Sequence, residues 1–391
     1  MNLDLKEEKT ESIEKKSFKE KIKAFWAKEK NRRIVIIVVI GLIAIALALG
    51  AFFIFRPEKA SNLALDVNKE QASATLYPSI LDGTMVSQED ANRHPLGVMV
   101  ENHIDSRPQS GLASASIVYE AIAEGGITRF LAIYSPRGSE KVGPVRSART
   151  YYVDWIKELS GFYAHVGGNY DALEKIKKEG ILDLDQFANP SAYWRDKTRK
   201  VSSEHTMYTS TTKLYGIAAD KKYSTANNFA QFKFKSEQPV TTGTTTPTST
   251  APISEAYPLI NSIAINFGNA NYNVGYTYDP ATTSYKRELA GKPHLDAETN
   301  AQLAAKNVIV MVVKRAPTVT KINEQGWTMQ TVGSGDANAF IGGVSIPATW
   351  KKDNESARTK FYNKATNAEI EFNPGTTWIE VISPDLSFSA K

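Results

Sequence analysis

The sequence predicts an α+β protein with an N-terminal transmembrane helix, a mixed α/β extracytoplasmic domain and a mostly β C-terminal domain with one helix. Three observations predict it. Residues 34–55, IVIIVVIGLIAIALALGAFFIF, form an uncharged apolar run of about 22 residues, long enough to cross a bilayer as a helix. Residues 236–256, SEQPVTTGTTTPTSTAPISEA, hold almost nothing that can be buried and read as a Thr/Pro/Ser linker between two folding units. Helical and strand periods alternate before that linker, whereas short apolar runs broken by Gly and Asn-Pro-Gly turns dominate after it.

The apolar run sets the topology. A core helix of this length would carry a polar face, and this one carries none. A cleavable signal peptide is the rival reading, with Ala48-Leu49-Gly50 at a cleavage-like spacing, but Phe52 to Phe55 continue the run past it. Residues 1–33 form a tail of 11 basic and 7 acidic groups, a net +4. The positive-inside rule puts that tail in the cytoplasm and everything after Arg56 outside. Phe18, Ile22, Phe25 and Trp26 share a helical face there, which suits either an amphipathic helix on the inner leaflet or a plain solvated tail. Of the chain's formal +5, only about +1 remains for the exported part, so its basic excess reflects topology and no nucleic-acid partner is expected. There is no cysteine, which excludes disulfides, thiolate metal sites, a thiol nucleophile and a lipid-modified cysteine.

A stalk is expected over 56–80, the mixed domain over 81–235 and the β-rich domain over 257–391. The first strand is 96–101, LGVMVE. Segments 116–124 and 127–134 read as a hairpin closed at Gly125-Gly126. In that register Glu120, Glu124 and Arg129 share one face. Two roles fit them: a Glu–Arg pair that fixes the sheet, or a cleft wall whose Glu120 or Glu124 acts as an acid or base tuned by cover and by Arg129. Gly143-Pro144 leads into a helix predicted over 145–159. Its first turns would hold Arg146, Ser147 and Arg149, where arginines oppose the helix dipole but, with free N–H groups, suit an anion. The arginines would alternatively reach back to Glu120 or Glu124. His165, in His165-Val166-Gly167-Gly168, sits between a strand and a helix over 171–179, and His205 lies in Glu204-His205-Thr206. Each suits a hydrogen-bonded structural role or a ligand contact. No two histidines have zinc-like spacing, no metal or cofactor is expected, and no P-loop or nucleophile-elbow pattern occurs.

In the C-terminal part, strands are expected at 263–267, 275–278, 284–287, 308–314, 328–332, 339–346, 348–352, 359–362 and 378–382. Asp296 is read as the cap of a helix over 297–305. Trp327, Trp350, Tyr362 and Trp378 would line a glycan groove or, more simply, pack the sheet.

Specific motifs add a resemblance. They include Arg107-Pro108-Gln109-Ser110-Gly111, Glu124-Gly125-Gly126-Ile127-Thr128-Arg129-Phe130, Gly143-Pro144-Val145-Arg146-Ser147-Ala148-Arg149, His165-Val166-Gly167-Gly168, His294-Leu295-Asp296 and Asn373-Pro374-Gly375-Thr376-Thr377-Trp378. On these the chain resembles the YerB-like family of bacterial extracytoplasmic proteins, a two-part family of unknown function. The resemblance implies an anchored cell-envelope protein and brings no catalytic residue with it. Relatives that are lipoproteins carry a cysteine that this chain lacks, and Glu204-His205-Thr206-Met207-Tyr208 departs from the family's His-Asn-hydrophobic-Tyr pattern.

The leading expectation is therefore a single-pass membrane protein that holds an anionic or glycan cell-wall ligand through Arg107, Arg129, Arg146 and Arg149, with Ser147, His165 and His205 nearby. A peptidoglycan glycan-strand cleaving enzyme using Glu120 or Glu124 is the second reading. An adaptor for cell-wall synthesis proteins is the third.

Overall fold

The structure, a computed structural model, describes residues 75–236 and 257–391. The expected tail, the span 34–55, most of the stalk and nearly all of the linker lie outside the described residues. Among the described residues no helix is long and apolar enough to cross a membrane.

In chain order the main elements are β1 (Leu96–Glu101), β2 (Ile117–Ile122), β3 (Thr128–Tyr134), α1 (Thr150–Lys157), β4 (Phe162–Ala164), α2 (Tyr170–Glu179), β5 (Leu182–Asp183) and α3 (Thr211–Asp220). Then follow β6 (Ser262–Asn266), β7 (Val274–Asp279), β8 (Ser284–Leu289), β9 (Lys292–Pro293), β10 (Asn307–Val312), β11 (Gly333–Ile341), β12 (Val344–Lys352), β13 (Lys360–Asn363), β14 (Thr377–Ile382) and β15 (Ser387–Ala390).

A ten-stranded sheet in the order β13-β12-β11-β10-β14-β2-β3-β1-β4-β5 runs through the molecule. The strand β14 joins its halves by parallel pairing to β10 on one side and to β2 on the other. The parts before and after the linker thus share one sheet, and the described residues form one compact unit. The central strands β2 and β3 are buried along their whole length. Strands covered on both faces read as near-continuous apolar runs, as these do. On one face Val98, Val118, Phe130 and Trp378 pack against Ile263, Ile265 and Tyr276 of a second sheet, ordered β9-β8-β7-β6-β15. On the other face Met99, Tyr119, Leu131 and Ile379 meet Tyr152, Trp155 and Ile156 of α1.

Four expectations are corrected. The hairpin closes one residue away from a two-residue turn: Ile122 pairs with Thr128 and Glu120 with Phe130. Within the loop, Ala123 N donates to the Ile127 carbonyl and Ile127 N to that of Glu124. A one-residue slip turns a whole strand over, so Glu120 and Arg129 lie on opposite faces. Second, α1 begins at Thr150, with Arg149 at its cap. Residues 145–148 stay extended because their backbone is already engaged: Arg146 N donates to the Met99 carbonyl, and Ala148 N to that of Gly167. Third, there is no α-helix over 297–305. Ala297 N donates to the Gln109 carbonyl, Asp296 accepts from Glu298 N and Ala113 N, and Ala304–Ala305 pairs with β8. Among the described residues, the helical segment of the C-terminal part is the single 3-10 turn Ala270–Tyr272. The strand read over 339–346 is also divided, at Gly342-Gly343, whose φ values of 63° and 82° make the tight β11–β12 turn.

Candidate functional site

A charged rim forms where β1 ends, β3 begins and the extended segment 145–149 crosses them. Glu101, the last residue of β1, is the register partner of Arg129 in β3. One Glu101 oxygen accepts from Arg146 Nε at 2.8 Å, and the other faces His205 Nδ1 at 2.8 Å. The outer end of Arg146 donates to Glu204 at 3.0 Å. That guanidinium holds the Glu204 carboxyl below its usual range. Next along the rim, Arg129 donates to Glu124 at 2.9 Å and to the Ser147 carbonyl at 3.1 Å. Arg149 reaches Glu124 and the Ala148 carbonyl, while its buried Nε has no hydrogen-bond partner. Burial lowers the pKa of both Arg129 and Arg149.

Arg129, Arg146, Ser147, Arg149, Glu124 and His205 are therefore brought together, but as one run of ion pairs instead of a bare cationic pocket. Arg107 stands beside the rim. It donates to the Asn102 side chain and carbonyl at 3.1 and 3.0 Å and to the Asn271 carbonyl at 2.7 Å, and it lies over the Tyr272 ring. His165 is fully buried, with Gly167 O at 2.8 Å from one ring nitrogen and Asp183 at 3.0 Å from the other. One nitrogen is spent on the glycine loop and the other on the end of β5.

The structure places Glu120 elsewhere. On the opposite face it is 0% exposed. One oxygen accepts from Thr128 Oγ1 at 2.5 Å and Asn102 at 3.2 Å, and the other from Arg287. Arg287 also donates to Tyr276 OH at 3.1 Å, contacts His294, and lies 4.2 Å from the Trp378 ring centre. Glu380, the register partner of Glu120, accepts from Tyr276 OH at 2.5 Å. This buried centre ties β2, β8 and β14 together and gives a substrate no access to Glu120.

Burial first, and the Glu120 charge second, push the Glu380 carboxyl well above its usual range. The Glu120–Glu380 pair thus holds a proton when folded. In the unfolded chain Glu380 loses that proton near 4.5. Stability is therefore fully present below that pH and falls as pH rises toward the folded value. Glu380→Gln keeps the hydrogen bond from Tyr276 with a neutral group. Urea melts should show it equal to wild type near pH 4 and progressively more stable as pH rises above 4.5; parallel pH curves would contradict a protonated Glu380.

Sequence reasoning missed Glu101, Glu204 and Arg287, whose partners are far away in the chain. It also missed that His103, Asp105 and His205 converge: one potential ligand atom from each lies within 4.8 Å of the others. The only local signal was Glu101-Asn102-His103, charged and polar residues directly ending an apolar strand.

Residues 81–224 match the family described as "Protein of unknown function (DUF3048) N-terminal domain", and residues 263–379 match its C-terminal domain. A relative in Bacillus subtilis (strain 168), named "Putative lipoprotein YerB", is 32% identical over 313 residues, covering 78% of this chain and 86% of its own. The crystal structure of YerB protein from Bacillus subtilis superposes with a TM-score of 0.67 at 28% identity, covering 80% of this chain and 99% of that one.

Proposed function

This chain belongs to the two-part DUF3048 family of unknown function that includes YerB, and from that premise we propose that it is a membrane-anchored extracytoplasmic protein whose charged rim binds an anionic cell-envelope ligand. A relative named as a lipoprotein supports the location. This chain has no cysteine to carry a lipid, and the apolar run 34–55 takes that place.

The observation that carries the binding role is the state of Arg146. Its Nε is fixed by buried Glu101, while its outer face meets only Glu204, a carboxylate more than half exposed. An exposed ion pair is worth little. A phosphate or carboxylate on a ligand can replace Glu204 and gain a charge-assisted, bidentate partner already aligned. Arg195 and Arg199, which donate to the Ser203 and Asp105 carbonyls beside the rim, add positive charge there.

The test is a titration of the full chain, in detergent, with fluorescent poly(glycerol phosphate). Binding should weaken as salt shortens the screening length. Arg146→Ala should cost about tenfold or more, in line with about 1.5–3 kcal/mol for a hydrogen bond to a charged group. Glu204→Gln should tighten binding by removing the competitor. Equal affinity for folded Arg146→Ala and wild type would reject the role.

A further inference from the structure

The rim ends in a second arrangement, independent of the anionic-ligand reading. Five histidines occur in the chain. His94, His165 and His294 each have polar neighbours at both ring nitrogens. His205 hydrogen-bonds only through Nδ1, on Glu101, with Glu204 Oε1 3.8 Å from its Nε2, and His103 only through Nδ1, which accepts from Asp105 N at 3.2 Å. These two rings, from segments a hundred residues apart, stack with centroids 4.5 Å apart and planes 6° from parallel. Asp105 puts a carboxylate oxygen 3.6 Å from His103 Nδ1.

We propose that His103, Asp105 and His205 form a binding site for a divalent transition metal of the Zn2+ class. Two imidazoles and one carboxylate are a donor set that suits such ions. The support behind His205 is the arrangement metal-bound histidines use: the nitrogen away from the metal donates to a carboxylate, which sets the tautomer and aims the other nitrogen. Glu101 fills that place and is itself held by Arg146 at 2.8 Å. Three protein ligands leave one tetrahedral position open for water or a ligand oxygen.

The parallel rings do not yet converge, and bonds of about 2.0–2.1 Å require the donors to close in. The closing falls on the two less buried partners: His205 is nearly buried, whereas His103 and Asp105 have side chains 29% and 56% exposed. Their loop is otherwise braced, since Ser106 Oγ donates to the His103 carbonyl at 2.6 Å and Arg199 to that of Asp105 at 2.7 Å.

The experiment uses the full chain in detergent, without an affinity tag and stripped with chelator. It is titrated with Co2+, read by visible absorption, and then with Zn2+ in competition. One ion per chain is expected, together with a Zn2+-dependent rise in melting temperature. His103→Ala and Asp105→Ala should each abolish the stoichiometric site and the rise, and Asp105→Ala, on a 56% exposed side chain, should do so without changing the metal-free melt. Glu101→Gln should weaken Zn2+ about 10–100-fold. Substoichiometric binding by wild type, or unchanged binding in His103→Ala and Asp105→Ala, would overturn the site.

Discussion

Arg287→Met is expected to lose about 3–5 kcal/mol of folding stability, because it leaves a buried carboxylate without its cation. Glu120 and Arg287 are both 0% exposed, and they join strand β2 of the N-terminal part to β8 of the C-terminal part. Glu120→Gln alone should cost less, since Glu380 Oε1, 3.6 Å from Arg287 Nε, remains as a counter-charge. The double variant Arg287→Met, Glu120→Gln should recover part of the loss, since neither charge then remains buried. Denaturant melts of the four proteins measure this. Additive losses in the double variant would show that the two side chains do not act as a pair.

Lys352→Met should cost a similar amount, about 3–5 kcal/mol, on the other face of the sheet. Lys352 Nζ donates to Glu158 at 2.8 Å and to the Asp154 carbonyl at 2.9 Å, and both Lys352 and Glu158 side chains are 0% exposed. Glu158 also accepts from Thr359 N, Thr359 Oγ1 and Tyr119 OH. Removing the lysine leaves those neutral donors to hold a full buried charge. This pair again links the two parts, here just beyond α1 and at the end of β12. The losses from Lys352→Met and Arg287→Met should add, since they sit on opposite faces without shared partners. Each should lower one cooperative transition. Two separate transitions, with only one moved, would contradict a single sheet running through both parts.

Much of the fold was legible where the signal was local. The run 96–101 became β1 with those bounds, and Asn169 and Gly180 bracket α2 because one caps its start and the other supplies the left-handed residue at its end. Of the arginines expected to reach back to Glu120 or Glu124, Arg149 meets Glu124, as Arg129 does, while Arg146 goes to Glu101. What failed was set by partners far off in sequence. Glycines at 125 and 126 permit more than one register, and packing chose the one that buries Phe130 and Ala132 with Val118. The helix over 145–159 was read from spacing alone, which cannot show that the backbone of 145–148 already belongs to β1 and the glycine loop. Asp296 looked like a cap, and it does cap a turn, but the amides it organises run on to Gln109 and β8. No pattern marks Glu101–His205, Glu120–Arg287 or Glu158–Lys352, since each joins residues about a hundred or more positions apart.

The most direct test of the wall-binding proposal is cosedimentation of the full chain with purified cell-wall sacculi, with and without their anionic polymers, reading bound protein in the pellet and muropeptides in the supernatant. The proposal predicts pelleting that requires the anionic polymers and Arg146, with no fragments released. Pelleting that ignores both would contradict it, and release lost in Glu124→Gln would make the protein a glycan-cleaving enzyme instead.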